Sequence, residues 1–348
     1  TMNYMEFQNI LSYPHVHSFA VSLKTDFTTL SVMALNENYS LGGNMTKKPV
    51  AVIGLGNMGG GIARSIIRDG DRPLFVWDRV EAARAKFMNI DGVTIVPPAQ
   101  MASDAEIILF VVPATPQIME CMRGKDGIFA NVCGELVIYD LTTSDPDQTC
   151  KLAGRAAKYG IHYLDAGTSG GPANGEKGKL LTMVGGDRLI FDRTRDVFDP
   201  ICEHVFYVGQ AGAGHTLKLL HNIICHTTML ATCEAGHMAE AAGIDLAAMI
   251  DVINVSNARS YASEVRFPNH IISGTWDLRS RIYNLYKDLK MGAKMGKRLG
   301  ADTTYSRATL SLLERAMAAG MENDDYSLLY RDFKKVRAVK RKGGGSKD

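Results

Sequence analysis

The sequence predicts an α/β domain built on a mainly parallel sheet, followed by an all-α domain. Three observations predict it. Short apolar runs alternate with helix-patterned segments from residue 50 to about residue 209, as strand–helix–strand units require. A glycine cluster separates the first of these runs from the first helical pattern. From Gly214 onward, long helical patterns succeed one another with no convincing strand among them. The boundary is expected at Gly209-Gln210-Ala211-Gly212, giving domains 45–209 and 210–333.

Composition bounds the possibilities. A chain of 348 residues, 46% apolar and 22% charged, has ample material for one large or two medium cores. Net charge +2 makes no general case for nucleic acid or a membrane surface, and no apolar run approaches the ~18 residues of a membrane span. Six cysteines (121, 133, 150, 202, 225 and 233) form no C-x-x-C, which suggests reduced thiols and a cytoplasmic protein. Residues 1–44 hold no arginine, one lysine (Lys24) and three acids (Glu6, Asp26, Glu37), unlike a mitochondrial leader. Met45-Thr46-Lys47-Lys48-Pro49 reads as a natural start, so residues 1–44 are expected to be a dispensable, disordered extension. Residues 334–348, with seven basic side chains and one acid around Gly343-Gly344-Gly345, read as a solvated flexible tail.

The first apolar run, Val50 to Ile53, reads as a buried strand, and Gly54-Leu55-Gly56-Asn57-Met58-Gly59 follows it. Helical spacing then runs from Gly61 to Asp69, with Gly70 at the C-cap. G-x-G-x-x-G between strand and helix is a dinucleotide fingerprint of a Rossmann-type domain. Gly54 makes the tight turn, Gly56 admits a pyrophosphate, and Gly59 brings helix and strand together at a donor-rich helix N-terminus. Met58 is expected to pack beneath the loop. The strand Leu74 to Trp77 ends at Asp78, twenty-four residues after Gly54, where an acid binds ribose hydroxyls. Asp78 would repel a 2′-phosphate, whereas a guanidinium at Arg79 would pair with one or stack on adenine. NAD is favoured over NADP.

Helix is then expected over Glu81–Asn89, strand over Val93–Val96 and a fully buried strand over Glu106–Val112, broken by Pro113. Helix Pro116–Met122 and strand Leu136–Tyr139 come next, then helix Asp145–Tyr159 with Pro146 at its first position. Strand His162–Leu164 runs into a glycine-rich loop. Strand Lys179–Val184, a helix to about Asp199 and strand Val205–Val208 complete the first domain. In the second, a helix from Gly214 to Gly243 is apolar on most faces, so it is central to the domain or to a subunit contact. Helices Leu246–Val255, Leu278–Gly300 and Ser306–Ala319 follow.

Lys218 stands early on that long helix and shares a face with Asn222 at i, i+4. A lysine in so apolar a helix is either a snorkelling or ion-paired cation, or a general acid/base whose ammonium burial disfavours. Asp165-Ala166-Gly167-Thr168-Ser169-Gly170-Gly171 is either a flexible connection or a backbone nest for a carboxylate. Polar loops at Pro113-Ala114-Thr115 and Thr142-Thr143-Ser144 also follow strand ends, where open sheets bind ligands. Lys287-Asp288 reads by itself as an exposed charged pair, and Met291 and Met295 as core filling. His215, His221, His226 and His237 have no zinc spacing, although His221 and Cys225 are i, i+4; no metal is expected.

These motifs, in this order over residues 49 to 320, resemble the β-hydroxyacid dehydrogenase family. Gly54 to Gly59 matches its nucleotide loop, including the methionine. Asp165 to Gly171 is similar to its D-x-x-x-S-G-G, with Met183-Val184-Gly185-Gly186 beyond. Gly212-x-Gly214-x-x-x-Lys218-x-x-x-Asn222 resembles its catalytic motif, and Lys287-Asp288-Leu289 its K-D-L. The resemblance implies an NAD(P)-dependent oxidoreductase of small 3-hydroxyacids or their semialdehydes. Lys218 would be the acid/base, Asn222 would assist at the reacting oxygen, and Ser169, Gly170 and Gly171 would hold the substrate carboxylate. Val112, Pro113 and Thr143 would line the cofactor site, with Lys287 near the nicotinamide. Homodimers or homotetramers through the helical domain are implied too. Gly167-Thr168 and Thr142-Thr143 depart from the commoner residues. His215 and His221, the latter at the substrate, look instead like 6-phosphogluconate dehydrogenases. This leaves oxidative decarboxylation of a sugar acid open, and beside it a cofactor-binding regulator without turnover. Arg259 and Arg266 read as surface residues, or as contacts to a second acidic group on the substrate.

Overall fold

The computed structural model describes residues 47–339, so the expectations for residues 1–44 and for the last nine residues lie outside the described residues. The first domain runs β1 (Val50–Ile53), α1 (Asn57–Asp69), β2 (Leu74–Trp77), α2 (Glu81–Ala85), β3 (Val93–Ile95), α3 (Pro98–Asp104) and β4 (Ile107–Phe110). It continues through α4 (Thr115–Met122), α5 (Ile128–Asn131), β5 (Leu136–Asp140), α6 (Pro146–Ala156), β6 (Ile161–Ser169), α7 (Gly171–Lys177), β7 (Leu180–Gly185), α8 (Arg188–Thr194) and β8 (Cys202–Gly209). The eight strands form one sheet in the order β3-β2-β1-β4-β5-β6-β7-β8, antiparallel only between β6 and β7. The chain reverses its direction of growth between β1 and β4, so the carboxyl ends of these two strands form a crevice of the kind that binds nucleotides.

The central strands are buried on both faces, which is why they read as unbroken apolar runs. Val50, Val52, Ile107 and Leu109 pack into one core layer, and Ala51, Ile53, Ile108 and Phe110 into the other. Helix starts follow local chemistry: Asp145 and Asp187 cap α6 and α8 by accepting from backbone N–H groups two residues on.

The second domain contains α9 (Ala213–Ala241), α10 (Leu246–Asn254), a π-helical segment (Ala262–Ile272), α11 (Ile282–Arg298), α12 (Thr304–Ala318), α13 (Leu328–Arg331) and α14 (Phe333–Ala338). Met229, Cys233, Phe267, Leu285, Leu289 and Leu313 belong to its separate core.

Four expectations are corrected. Helix α1 begins at Asn57 rather than Gly61, so Asn57 and Met58 occupy its first turn. Glu81–Asn89 is helical only to Ala85. The glycine-rich stretch after Leu164 is not a loop until Ser169, because β6 continues and pairs with β7 from Asp165↔Gly185 to Ser169↔Leu181. The stretch from Lys334 to Ala338 is not solvated tail. It lies in α14, whose Val336 is fully buried in the helical core, a burial that contributes about 1.5–3 kcal/mol.

Candidate active site

The glycine loop is shaped by close approach. Gly54 has φ +101°, and a Cβ there would meet the Val111 carbonyl oxygen at 2.3 Å. A Cβ on Gly59 would stand 1.8 Å from the Gly54 oxygen, while one on Gly56 would meet nothing within 4 Å. Gly54 and Gly59 therefore serve the backbone, and Gly56 keeps the space above the helix N-terminus clear. No side chain caps α1, which leaves its first N–H groups for an anion. Asp78, directly after β2, accepts from Leu55 N at 2.7 Å and from Val80 N at 2.8 Å. Arg79 is exposed and only loosely paired with Glu120, at 3.9 Å. Met58, in the first turn of α1, packs against the core, with its sulfur toward Gly175 of α7. An open phosphate cradle, a bare helix N-terminus and an acid fixed beside them fit a dinucleotide.

Beyond β4 and β5, a cleft of about 700 Å³ is lined by Ala114, Thr115, Thr143, Ser144, Tyr283 and Lys287 among others. Met291 also lines it, so this methionine is not core filling, whereas Met295 is buried. Lys287 Nζ donates to the carbonyls of Pro113 at 3.0 Å and Thr143 at 3.4 Å, joining α11 to the loops after β4 and β5. Asp288 is buried, so Lys287-Asp288 is not an exposed pair. Val112 is half-buried and packs into the core under this edge.

The long helix α9 enters the site at a crowded point. A Cβ on Gly167 would lie 2.6 Å from Lys218 Cβ, and one on Gly214 would lie 2.4 Å from the Met183 oxygen. Strand β6 and the first turn of α9 thus touch backbone to backbone, and this seats Lys218. The fully buried carboxylate of Asp165 locks the junction. Its Oδ1 accepts from Gly212 N at 2.7 Å and its Oδ2 from His215 N at 2.8 Å, at the positive end of a 29-residue helix. Sequence reasoning took Asp165 only as the start of the substrate loop. Its partners Gly212 and His215 lie 47 and 50 positions further along the chain, so it gave no local signal.

Lys218 is only 8% exposed. Among the described residues no carboxylate lies within 4 Å of its Nζ. Burial lowers its proton affinity, with Asp288 opposing and Arg266 and Lys287 assisting. Beside it runs a directed chain of hydrogen bonds. Asn222 Nδ2 donates to Asp288 Oδ2 at 2.8 Å, which leaves Asn222 Oδ1 to accept from His221 Nδ1 at 2.9 Å. Burial, then the charge of Lys218, keeps His221 neutral, so its Nε2 accepts from Ser169 Oγ at 3.2 Å. Ser169 ends β6, and Gly170 and Gly171 follow at φ +126° and +74°. The structure therefore brings Ser169, Gly170, Gly171, Lys218, His221 and Asn222 together.

Two residues depart from expectation. His215 is fully buried, with Nδ1 on Thr149 Oγ1 at 2.7 Å and Nε2 on the Asp140 carbonyl at 3.1 Å, and it braces the α9–sheet junction. Arg266 is buried rather than on the surface, because the π-helical segment folds back against α9; Arg259 is exposed. Among the described residues no group of histidines, cysteines and acids can hold a metal, and no helix is long and apolar enough to cross a membrane.

Two family models match the chain in tandem. Residues 49–209 match the NAD binding domain of 6-phosphogluconate dehydrogenase, and residues 212–333 the NAD-binding domain of NADP-dependent 3-hydroxyisobutyrate dehydrogenase. The 2-(hydroxymethyl)glutarate dehydrogenase of Eubacterium barkeri is 27% identical over 295 residues, 85% of this chain and 98% of that one. Human mitochondrial 3-hydroxyisobutyrate dehydrogenase is 30% identical over 223 residues, 64% of this chain and 66% of that one. Among solved structures, the Mycobacterium tuberculosis 3-hydroxyisobutyrate dehydrogenase with L-serine shares the fold at TM-score 0.74 and 22% identity, covering 83% of this chain and 99% of that one. The chain belongs to the β-hydroxyacid dehydrogenase family and is an NAD(P)-dependent oxidoreductase.

Proposed function

We propose that the protein interconverts a small 3-hydroxyacid and its semialdehyde, with Lys218 moving the proton at the reacting oxygen. The observation that carries this reading is a buried lysine that has no carboxylate within 4 Å among the described residues, on the helix face that also presents His221 and Asn222. Bound NAD(P) supplies the hydride acceptor or donor. Gly54, Leu55, Gly56, Asn57, Met58 and Gly59 would hold its pyrophosphate, Asp78 its ribose, and Val112, Pro113, Thr143 and Lys287 the nicotinamide end. Ser169 with the backbone of Gly170 and Gly171 fixes the substrate carboxylate, so the hydroxyl reaches Lys218 Nζ. In oxidation, neutral Lys218 accepts the hydroxyl proton; in reduction, the ammonium stabilises the developing alkoxide and returns a proton to it. Asn222 has a second N–H for the same oxygen. The negative charge of Asp78, held in place by Leu55 N and Val80 N, would repel a 2′-phosphate, which supports NAD over NADP.

The test is fluorescence titration of NADH and NADPH, then turnover of 3-hydroxyisobutyrate, 2-(hydroxymethyl)glutarate and tartronate semialdehyde with carbon dioxide measured in parallel. Tighter NADH binding and turnover without carbon dioxide are expected. Carbon dioxide release would favour the sugar-acid decarboxylase reading. That reading is weakened by His215, which is fully buried and engaged by Thr149 and Asp140. Cofactor binding with no turnover of any compound would favour a regulator.

We further propose a homodimer or homotetramer through α9. Leu217, Leu220, Ile224 and Met238 lie exposed on it at heptad-like spacing, the last two 67% exposed each. Such a stripe suits a matching stripe on a second copy.

A further inference from the structure

Buried charges are ordinarily paired, and Arg266 is an exception. It is 8% exposed, yet among the described residues no carboxylate lies within 4 Å of its guanidinium. Nη2 donates to Cys225 Sγ at 2.9 Å and Nη1 to the Cys225 carbonyl at 3.3 Å, while Nε has no partner. The guanidinium lies 5.2 Å from the ring centres of both Tyr261 and Tyr326, which orient it but leave its charge uncompensated. His226, the next residue after Cys225, is 7% exposed, and neither of its ring nitrogens has a partner. Two adjacent buried side chains thus hold three polar atoms without partners among the described residues.

Their position decides what they serve. Lys218, His221 and Cys225 follow one another at i, i+3 and i+7 on a single face of α9. Cys225 is about 10 Å along the axis from Lys218, and Arg266 closes the far end of that face. Lys218, His221 and His226 stand near it, while the buried carboxylate of Asp288 faces Lys218 and Lys287. Burial keeps His221 and His226 neutral, so Arg266 is the cation of this cluster with no carboxylate in reach among the described residues, and a negative group brought by the ligand would pair with it.

The geometry points to Arg266, with His226 beside it, as a receptor for a second anionic group on the substrate, so that the preferred 3-hydroxyacid or semialdehyde is a dianion. This inference rests on the 3-hydroxyacid reading above. The experiment compares, in the intact enzyme, a dicarboxylic 3-hydroxyacid with its monoamide, which has the same shape and lacks only the distal charge. The wild type should favour the diacid by roughly ten- to hundredfold in kcat/KM, mainly through KM, as expected for a charged hydrogen-bonded contact. Arg266→Met should lose the preference and Arg266→Lys should retain part of it. NADH binding and melting temperature report whether each variant folds. The wild-type comparison decides the matter even if neither variant folds. Equal turnover of diacid and monoamide by the wild type, or a preference that survives in folded Arg266→Met, would overturn the inference while the 3-hydroxyacid reading stands. No turnover of any 3-hydroxyacid would overturn both.

Discussion

Replacing Asp165 by asparagine isolates the contact that seats the long helix. The substitution keeps the shape but removes the charge and turns an NH₂ group toward one of two N–H donors now held at 2.7 and 2.8 Å. A hydrogen bond from a backbone N–H to a carboxylate contributes about 1.5–3 kcal/mol, and charge at a helix N-terminus about 0.3–1 kcal/mol more. One such bond is lost and the other becomes neutral, so the expected loss is about 2–4 kcal/mol. At about 2–3 °C per kcal/mol for a protein of this size, the melting temperature should fall by roughly 4–12 °C. Lys218 stands one turn beyond His215, so a shift of about 1 Å in that turn would lower kcat by on the order of a hundredfold. Scanning calorimetry and steady-state kinetics read the two effects, and NADH titration serves as control because the nucleotide loop lies on other elements. A variant that melts within about 1 °C of wild type with unchanged kcat would refute the cap, since no buried N–H tolerates a facing N–H at no cost.

Other outcomes follow from the same geometry. Gly56→Ala should melt like the wild type, because its Cβ enters open space, yet bind NADH at least about tenfold more weakly; Gly54→Ala, at φ +101° against the Val111 carbonyl, should lose stability as well. Burial holds Lys218 below its ordinary 10.5, so kcat/KM for oxidation should rise with pH through a midpoint under that value as the amine loses its proton. Asp288→Asn removes the carboxylate that favours the ammonium, so the proton leaves more readily and the midpoint should move lower; an upward move would contradict the assignment. Ile224→Asp should dissociate the oligomer in light scattering with sizing, and a wild type that is already monomeric would remove the α9 interface.

The sequence carried the parts whose chemistry is local. Gly54, Gly56, Gly59 and Asp78 were legible because a strand, a tight turn and a helix start sit within one βα unit. Lys218 and Asn222 were legible because one helix fixes their spacing. What stayed hidden depends on partners remote in sequence. Asp165 to Ser169 looked like a loop because glycine and short polar residues disfavour strands, and antiparallel pairing with β7 overrides that preference. Gly167 in particular is needed for the approach of Lys218. Helices α3 and α5 are too short to show a period. The segment Ala262–Ile272 contains Pro268, an ordinary breaker, and stays helical with wider π turns. For the same reason Arg266 looked like a surface residue.

The central claim is that Lys218 moves the proton, and the most direct measurement is kcat of Lys218→Met beside its dissociation constant for NADH. The account predicts a loss of about 10²–10⁴ in kcat, as for removal of a general acid/base, with cofactor affinity within about twofold of wild type. Turnover at the wild-type rate in that variant would contradict it.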